Sequence, residues 1–382
     1  MIPLEQVAIV GVAESEIGKV PHQTPAGMMA VAARAAAADA GLSLDDVDGI
    51  FATTPYHGVT VTTLSEYLGI RPRYYDGTDF GGCSFILHLR HAAAAIAAGM
   101  CDVALIAYAS SQRSDRGRLV SSSETSAYEL PYGAVYPITH NALIAARHMH
   151  DYGTTSEQLA SVAVAARTWA SRNPRAYARE PITVDDVLAS PMMSSPLHRL
   201  DCCLLTDGGA AIIVARRDRV VDTSRAIHVL GAAESFTHRN IVAMPDLTTS
   251  AAAVTGPAAF EQAGLRPDDM DFAQLYDAFT IGPIIELEDL GFVPKGEAAA
   301  FFAEGRTQPA GDLPVNTNGG GLAYTHPGML GLFLLAEAVR QLRGESGEAQ
   351  VPDARVGLVH GIGGALASAA TAVLARPEVR AA

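Results

Sequence analysis

Near the C-terminus, Asn316-Thr-Asn-Gly-Gly-Gly-Leu-Ala-Tyr-Thr-His-Pro-Gly328 sets a phenol, Tyr324, two residues from an imidazole, His326, directly after three glycines. A glycine run packs no side chains and lets backbone approach a ligand or turn tightly. The apolar run from Met329 to Leu342 has helical spacing, so both side chains fall just before a helix N-terminus, where developing negative charge is favoured. A second candidate is Gly81-Gly-Cys83, at the start of a helix running through Ala98. There the helix dipole would favour a thiolate on Cys83, against the alternative that a buried free cysteine is inert packing. A third is Tyr276-Asp277 in Leu275-Tyr-Asp-Ala-Phe279, at the C-terminal end of a strand, where open α/β sheets keep their sites. His57, in Tyr56-His57-Gly58, occupies the matching loop of the first half, and His140 begins a helix. Cys101, Cys202 and Cys203 read as packing, and no His, Asp or Glu grouping has metal-ligand spacing.

The elements that must hold these residues follow from periodicity. Gln6 to Ala13 reads as a buried strand, Thr24 caps a helix with Pro25 at its first position, Gly41 ends it, and Asp45 to Ala52 returns as a strand. This strand–helix–strand unit predicts a parallel sheet. It recurs: Gly11-Val-Ala-Glu-Ser15 matches Gly231-Ala-Ala-Glu-Ser235, and Ala40-Gly-Leu-Ser-Leu-Asp-Asp-Val-Asp48 matches Ala263-Gly-Leu-Arg-Pro-Asp-Asp-Met-Asp271. Two matches in near register indicate internal duplication, with α/β halves at 1–222 and 223–382. Between the strands Asp102–Tyr108 and Ala210–Ala215, residues 109–207 read as an insertion forming a lid, with helices at 136–152 and 155–171 and irregular chain from Ile182.

The chain has 382 residues, 49% hydrophobic, with a formal charge of −14, which disfavours nucleic acid and anionic membrane. No apolar run is long enough to span a bilayer. Four cysteines without a disulfide framework, and an N-terminus without a signal peptide, point to the cytoplasm. Residues 111–200 carry nine arginines against eight acids; Arg113, Arg116 and Arg118 cluster there, where an anionic ligand would be tolerated as readily as a plain solvated surface.

Taken together, the duplicated halves, the insertion, Gly-Gly-Cys before a helix, Asp201-Cys-Cys-x-x-Thr-Asp-Gly208, Tyr-Asp-Ala-Phe and Gly-Gly-Gly-Leu-Ala-Tyr-Thr-His-Pro-Gly resemble the thiolase superfamily, in the branch of sterol-carrier-protein thiolases and lipid-transfer-protein aldolases. The resemblance covers nearly the whole chain and implies a duplicated five-layered αβαβα fold and a homodimer. It places His326 at the Gly-His-Pro histidine, with Thr325 for the glycine, and Tyr276 where a thiolase has His or Asn. Cys83 falls one residue past the nucleophile's place, which Gly82 takes, and Val359-His-Gly-Ile-Gly-Gly364 lacks the late cysteine. Tyr276 and Tyr324 instead match tyrosines of the steroid side-chain aldolases. The implied activity is retro-aldol cleavage of a β-hydroxyacyl-CoA with a bulky acyl group. His326 and the backbone around Gly320 and Gly363 would stabilise the enolate, with Tyr276 and Tyr324 converging to move protons. No cofactor is implied beyond the coenzyme A of the substrate, and a small OB-fold and zinc-ribbon protein is the implied partner. The alternatives are an acyltransferase using Cys83, and a non-catalytic subunit that binds acyl-CoA.

Overall fold

A computed structural model describes residues 2–116 and 127–379. Among these residues nine strands form one mixed sheet: β1 (Val7–Glu14), β2 (Gly49–Ala52), β3 (Tyr74–Asp76), β4 (Val103–Ser110), β5 (Gly208–Arg216), β6 (Ile227–Phe236), β7 (Phe272–Gln274), β8 (Val356–Gly363) and β9 (Ser368–Ala375). Their order is β3-β2-β4-β5-β1-β6-β9-β8-β7. Outward from the short β1–β6 junction, where only Ala8↔His228 and Ile9↔Ile227 pair, the two directions repeat one connectivity. The expected parallel sheet is corrected here to a mixed one. β1 and β2 are separated by β5 and β4, and only β2–β3, β2–β4 and β7–β8 pair in parallel.

Among the described residues ten helices accompany the sheet: α1 (Pro25–Asp39), α2 (Thr60–Leu68), α3 (Ser84–Ala97), α4 (Ile138–Tyr152), α5 (Ser156–Ser171), α6 (Val184–Ala189), α7 (Ala252–Ala263), α8 (Ile281–Asp289), α9 (Ala298–Ala303) and α10 (Gly331–Arg343). The Thr24 side chain accepts from the Gly27 amide, and Pro25 sits where its missing N–H is not needed. α1 and α2 cover the outer face of the first half and α7 that of the second; α3 and α10 lie between and touch strands of both. The layers therefore run helix, sheet, helix, sheet, helix.

The repeated sequence motifs have one physical cause in each half. A bulge at Val10 precedes Gly11, and a bulge at Leu230 precedes Gly231. A Cβ on Gly11 would lie 2.0 Å from the carbonyl oxygen of Ala36 in α1, and a Cβ on Gly231 2.0 Å from that of Ala259 in α7. Each glycine thus lets an outer helix rest on strand backbone. Gly41 and Gly264 end α1 and α7 at φ 68 and 66. Asp48 accepts the amides of Asp102 and Val103 that open β4, and Asp271 those of Arg355 and Val356 that open β8.

The expected boundary at 222/223 falls in the connection between β5 and β6. The insertion holds α4, α5 and α6, and α5 packs on α9 and on the glycine-rich turn. The stretch after Ile182 is more regular than expected: Thr183 caps α6, and Met192–Ser194 pairs with Leu197–His198. No helix among the described residues is long and apolar enough to cross a membrane.

Candidate active site

The chain leaves β7 at Gln274 and is held in an irregular path by buried side chains: the Leu275 amide donates to Asn316 Oδ1 at 2.7 Å and the Tyr276 amide to Glu286 Oε2 at 2.8 Å. That path lays the Tyr276 phenol over Gly82, in the turn Gly81–Cys83 that opens α3. A Cβ on residue 82 would meet the Tyr276 ring and hydroxyl at 2.2–2.3 Å, so the phenol fills the space of a side chain there. The Tyr276 oxygen accepts the Leu330 amide at 3.2 Å and keeps its own proton to donate. Burial drives its pKa well above the ordinary tyrosine value, so it is a neutral donor at physiological pH.

His326 meets Tyr276 edge-on, with ring centroids 5.7 Å apart. Its amide donates to Thr206 Oγ1 at 2.9 Å, and Thr325 and Thr206 hydroxyls meet at 2.8 Å, which anchors the loop. Both ring nitrogens are buried and have no hydrogen-bond partner among the described residues. Burial pulls the imidazole down to about 4, so at neutral pH it presents one N–H and one lone pair. Both residues line a cleft of about 600 Å³ with Gly82, Gly363, Tyr108 and Tyr136. Bare backbone makes part of its wall: a Cβ on Gly363 would lie 1.6 Å from the Phe80 carbonyl oxygen. The N-terminus of α3 adjoins this wall and favours negative charge there.

The remaining candidates are dispersed. Cys83 is buried, its sulfur 3.4 Å from both the Phe80 carbonyl and the Ser368 hydroxyl, and burial pushes its thiol up to about 12; it does not line the cleft. Asp277 accepts the amides of Gly321 at 2.6 Å and Leu322 at 3.2 Å and ties down the glycine-rich turn, with burial raising it to about 6. Gly320 is packed on that carboxylate and its amide donates to Asn318 Oδ1 at 2.8 Å, so it has no free donor for an enolate. Gly363 lines the cleft as expected.

Tyr324 corrects the expected tyrosine pair. Its hydroxyl donates to Glu14 Oε2 at 2.6 Å, and the same oxygen meets Arg340 at 2.9 Å and Arg175 at 3.2 Å. It does not line the cleft, and Gly320–Tyr324 forms a helical turn with five-residue spacing rather than an extended loop. His57 lies in a separate surface pocket with Thr53 and Asp79. His140 Nε2 sits 2.9 Å from Glu129 Oε2, without hydrogen-bond alignment, and lines a neighbouring cavity. Arg116 ends a turn at φ 57 and does not line the cleft; Arg118 lies outside the described residues.

Tyr136 and Asn141, which the sequence does not single out, line the cleft together with Cys202 and Cys203. Tyr136 and Asn141 carry no local signal, since the insertion reaches the site only through tertiary packing. The cysteine pair beside Asp201 was visible as a motif but read as packing; both thiols are raised by burial, Cys202 to about 12. Among the described residues no group of three His, Cys, Asp or Glu side chains is placed to hold a metal.

A thiolase C-terminal domain-like family model matches residues 233–376. The chain is 36% identical, over 89% of its length and 92% of the relative's, to a 17-hydroxy-3-oxo-4-pregnene-20-carboxyl-CoA lyase of Mycobacterium tuberculosis. It is 33% identical, over 98% and 100%, to an acetyl-CoA acetyltransferase of Methanothermobacter thermautotrophicus. The solved structure of an Ltp2-ChsH2(DUF35) aldolase superposes with a TM-score of 0.89 at 31% identity, covering 99% of each chain. With its layered duplicated sheet, its Tyr276–His326 cleft and these relatives, the chain belongs to the thiolase superfamily, in the branch of sterol-carrier-protein thiolases and steroid side-chain-cleaving aldolases.

Proposed function

We propose that the protein cleaves a β-hydroxyacyl-CoA by a retro-aldol reaction, without a covalent acyl-enzyme. One observation carries this: the place of a nucleophilic side chain at residue 82 is filled by the Tyr276 phenol. Cys83 sits outside the cleft, and burial holds the two cleft thiols as poor nucleophiles. A phenol beside an unpartnered neutral imidazole suits proton transfer instead.

The step balances on these two groups. The lone pair of His326 takes the β-hydroxyl proton, and the O–H electron pair becomes the new C=O bond. The Cα–Cβ pair passes into the thioester as an enolate, whose oxygen faces the N-terminal turn of α3. Tyr276 gives its proton to Cα and regains one from the imidazolium. The products are a free carbonyl compound and a shortened acyl-CoA. Relatives named as a pregnene-carboxyl-CoA lyase and a steroid side-chain-cleaving aldolase support this assignment.

Tyr276→Phe removes the proton donor and keeps the ring over Gly82. Turnover of a β-hydroxyacyl-CoA should fall by about 10²–10⁴, with product acyl-CoA affinity retained. Undiminished turnover would defeat the assignment, and an acyl group trapped on Cys202 or Cys203 would favour the acyltransferase.

The same proposal includes a homodimer in the cytoplasm and a small OB-fold and zinc-ribbon partner. β3 is a sheet edge with Tyr75 exposed, which supports pairing of two copies. The solved aldolase relative is named for two components, Ltp2 and ChsH2(DUF35), which supports a partner. Sedimentation with and without a co-expressed partner tests both; a lone monomer at micromolar concentration would count against them.

A further inference from the structure

The motif Asp201-Cys-Cys-x-x-Thr-Asp-Gly208 takes no part in the proton transfers, yet it runs between the two loops that carry them. At one end the Thr280 hydroxyl donates to Asp201 Oδ1 at 2.9 Å, and the Thr280 amide donates to the Asp201 carbonyl at 3.0 Å. The Cys203 amide donates to the Ala278 carbonyl at 2.8 Å, so the chain leaving Tyr276 is tied at two places. At the other end the Leu204 amide donates to the Gly321 carbonyl at 2.9 Å, and Thr206 Oγ1 accepts the His326 amide at 2.9 Å. We infer that residues 201–206 form a strap that sets His326 against Tyr276, and that Thr206 and Thr325, whose hydroxyls meet at 2.8 Å, are the positioning residues at its imidazole end. The inference rests on the retro-aldol proposal, which needs the phenol and the imidazole to serve one substrate.

The placement of His326 depends on this anchor more than that of Tyr276 does. The phenol has a hydrogen bond of its own, from the Leu330 amide at 3.2 Å. Among the described residues no hydrogen bond holds the His326 ring, so its place follows from its backbone and from the edge-on contact with Tyr276. Catalytic imidazoles are commonly oriented by a third group on the second ring nitrogen. Anchoring through the amide leaves both nitrogens to the reaction, where the imidazole takes the β-hydroxyl proton and returns one to Tyr276.

The hydroxyl pair is built for holding. Thr206, Thr325 and Thr280 are fully buried and Asp201 almost so. A buried hydroxyl that loses its partner is left with the full cost of its desolvation, which keeps such pairs closed. Both members of the pair are β-branched and stiff at χ1, so the two oxygens stay facing. Thr325 also stands where the Gly-His-Pro loop has its glycine. Its backbone is extended, at φ −164 and ψ 145, so the path of the loop does not call for glycine. The threonine adds what a glycine lacks, an oxygen that reaches the strap.

The test is kinetic, on protein shown to be folded at the assay temperature by its thermal transition. Thr206→Val keeps the shape and removes the acceptor of the His326 amide. A reacting group displaced by about 1 Å loses about 10² in rate, so kcat on a β-hydroxyacyl-CoA should fall by that order with KM within about threefold. Thr206→Ser keeps the oxygen and should come back to within a few-fold of wild type. Thr325→Val breaks the hydroxyl pair alone and should lower kcat by about tenfold. The double variant Thr206→Val/Thr325→Val should be no slower than Thr206→Val, because the two residues act as one latch. Wild-type kcat in both single variants, losses that appear in KM instead, a serine variant as slow as the valine one, or losses that multiply in the double variant would each overturn the inference. If Thr206→Val does not fold, Thr325→Val decides alone: a lower kcat at unchanged KM supports the latch, and an unchanged kcat overturns it. Wild-type enzyme that leaves β-hydroxyacyl-CoA intact defeats the retro-aldol proposal and not the strap. Crystal structures of wild type and Thr325→Val then decide the strap by themselves. The separation of the Tyr276 and His326 ring centroids, 5.7 Å here, should change by about 1 Å in the variant; an unchanged separation overturns the inference.

Discussion

Gly82→Ala perturbs the packing on which the account depends. The added methyl would lie 2.2 Å from Tyr276 Cε2 and 2.3 Å from its Cζ and hydroxyl oxygen, whereas carbon atoms rest at about 3.5–4.0 Å. The phenol must therefore retreat by more than about 1 Å, which breaks its 3.2 Å bond from the Leu330 amide and misaligns it with His326. A displacement of that size costs about 10² in rate, and overpacking a buried site costs about 1–3 kcal/mol. Initial rates on a β-hydroxyacyl-CoA and thermal unfolding of the same preparation report the two effects. Stability of the double variant with Tyr276→Ala separates a clash with the phenol from a general intolerance of alanine in this turn. Without the phenol the methyl has room, so the two changes should couple by about 1–3 kcal/mol. Full activity in Gly82→Ala, or a stability loss that is the same with and without Tyr276, would refute the claim that this phenol fills the side-chain space of residue 82.

Cys83→Ala should keep turnover within a few-fold, because the sulfur is committed to Phe80 and Ser368 and lies outside the cleft; loss of three orders of magnitude, roughly 4 kcal/mol of barrier, would restore a thiolate nucleophile. Tyr324→Phe strips a donor from the buried Glu14 carboxylate, so it should cost about 1.5–3 kcal/mol of stability while changing kcat far less than Tyr276→Phe; equal kcat losses in a denaturation-controlled assay would return Tyr324 to proton transfer. Turnover should be flat above about pH 5 and fall as pH drops through about 4, where His326 gains its proton and loses its lone pair; a descending limb near pH 6–7 would show that this imidazole is not the base. His91 is a quarter exposed and hydrogen-bonded to Asp76 at 2.7 Å and Glu234 at 3.3 Å, which raises it to about 9. Its folded value lies above the unfolded one, so its contribution is full below about pH 6.5 and vanishes as pH rises through about 9. After screening, His91→Gln should lose about 1–2 kcal/mol at pH 6 and almost nothing at pH 10; a difference independent of pH would contradict the bridge.

The parts of this fold that were legible in the sequence are those written by local chemistry. Thr24-Pro25 announced α1 because a hydroxyl cap and a proline without an amide satisfy a helix start. The paired Gly11 and Gly231 motifs survived because each glycine carries a helix backbone that a Cβ would strike. The strand order was not legible: β5 inserts itself between β1 and β4 only after the insertion has run its course. Within the site, Tyr276 and His326 could be singled out because a strand end and a Gly-x-x-x-x-His-Pro loop are local features. The direction of Tyr324 depends on Glu14, 310 positions away, and on Arg340 and Arg175, so no local pattern carried it. Tyr136 was missed for the same reason, reaching the cleft through the packing of the insertion. Gly82 was noticed as standing in the nucleophile's place; what fills that place became visible only in three dimensions.

Intact-protein and product mass spectrometry during turnover of a β-hydroxyacyl-CoA distinguishes a retro-aldol cleavage from a covalent acyl-enzyme. Retro-aldol cleavage yields a free carbonyl compound and a shortened acyl-CoA in equal amounts, with the mass of the protein unchanged throughout. An acyl adduct on any of the four free cysteines that forms and decays at the turnover rate would contradict it.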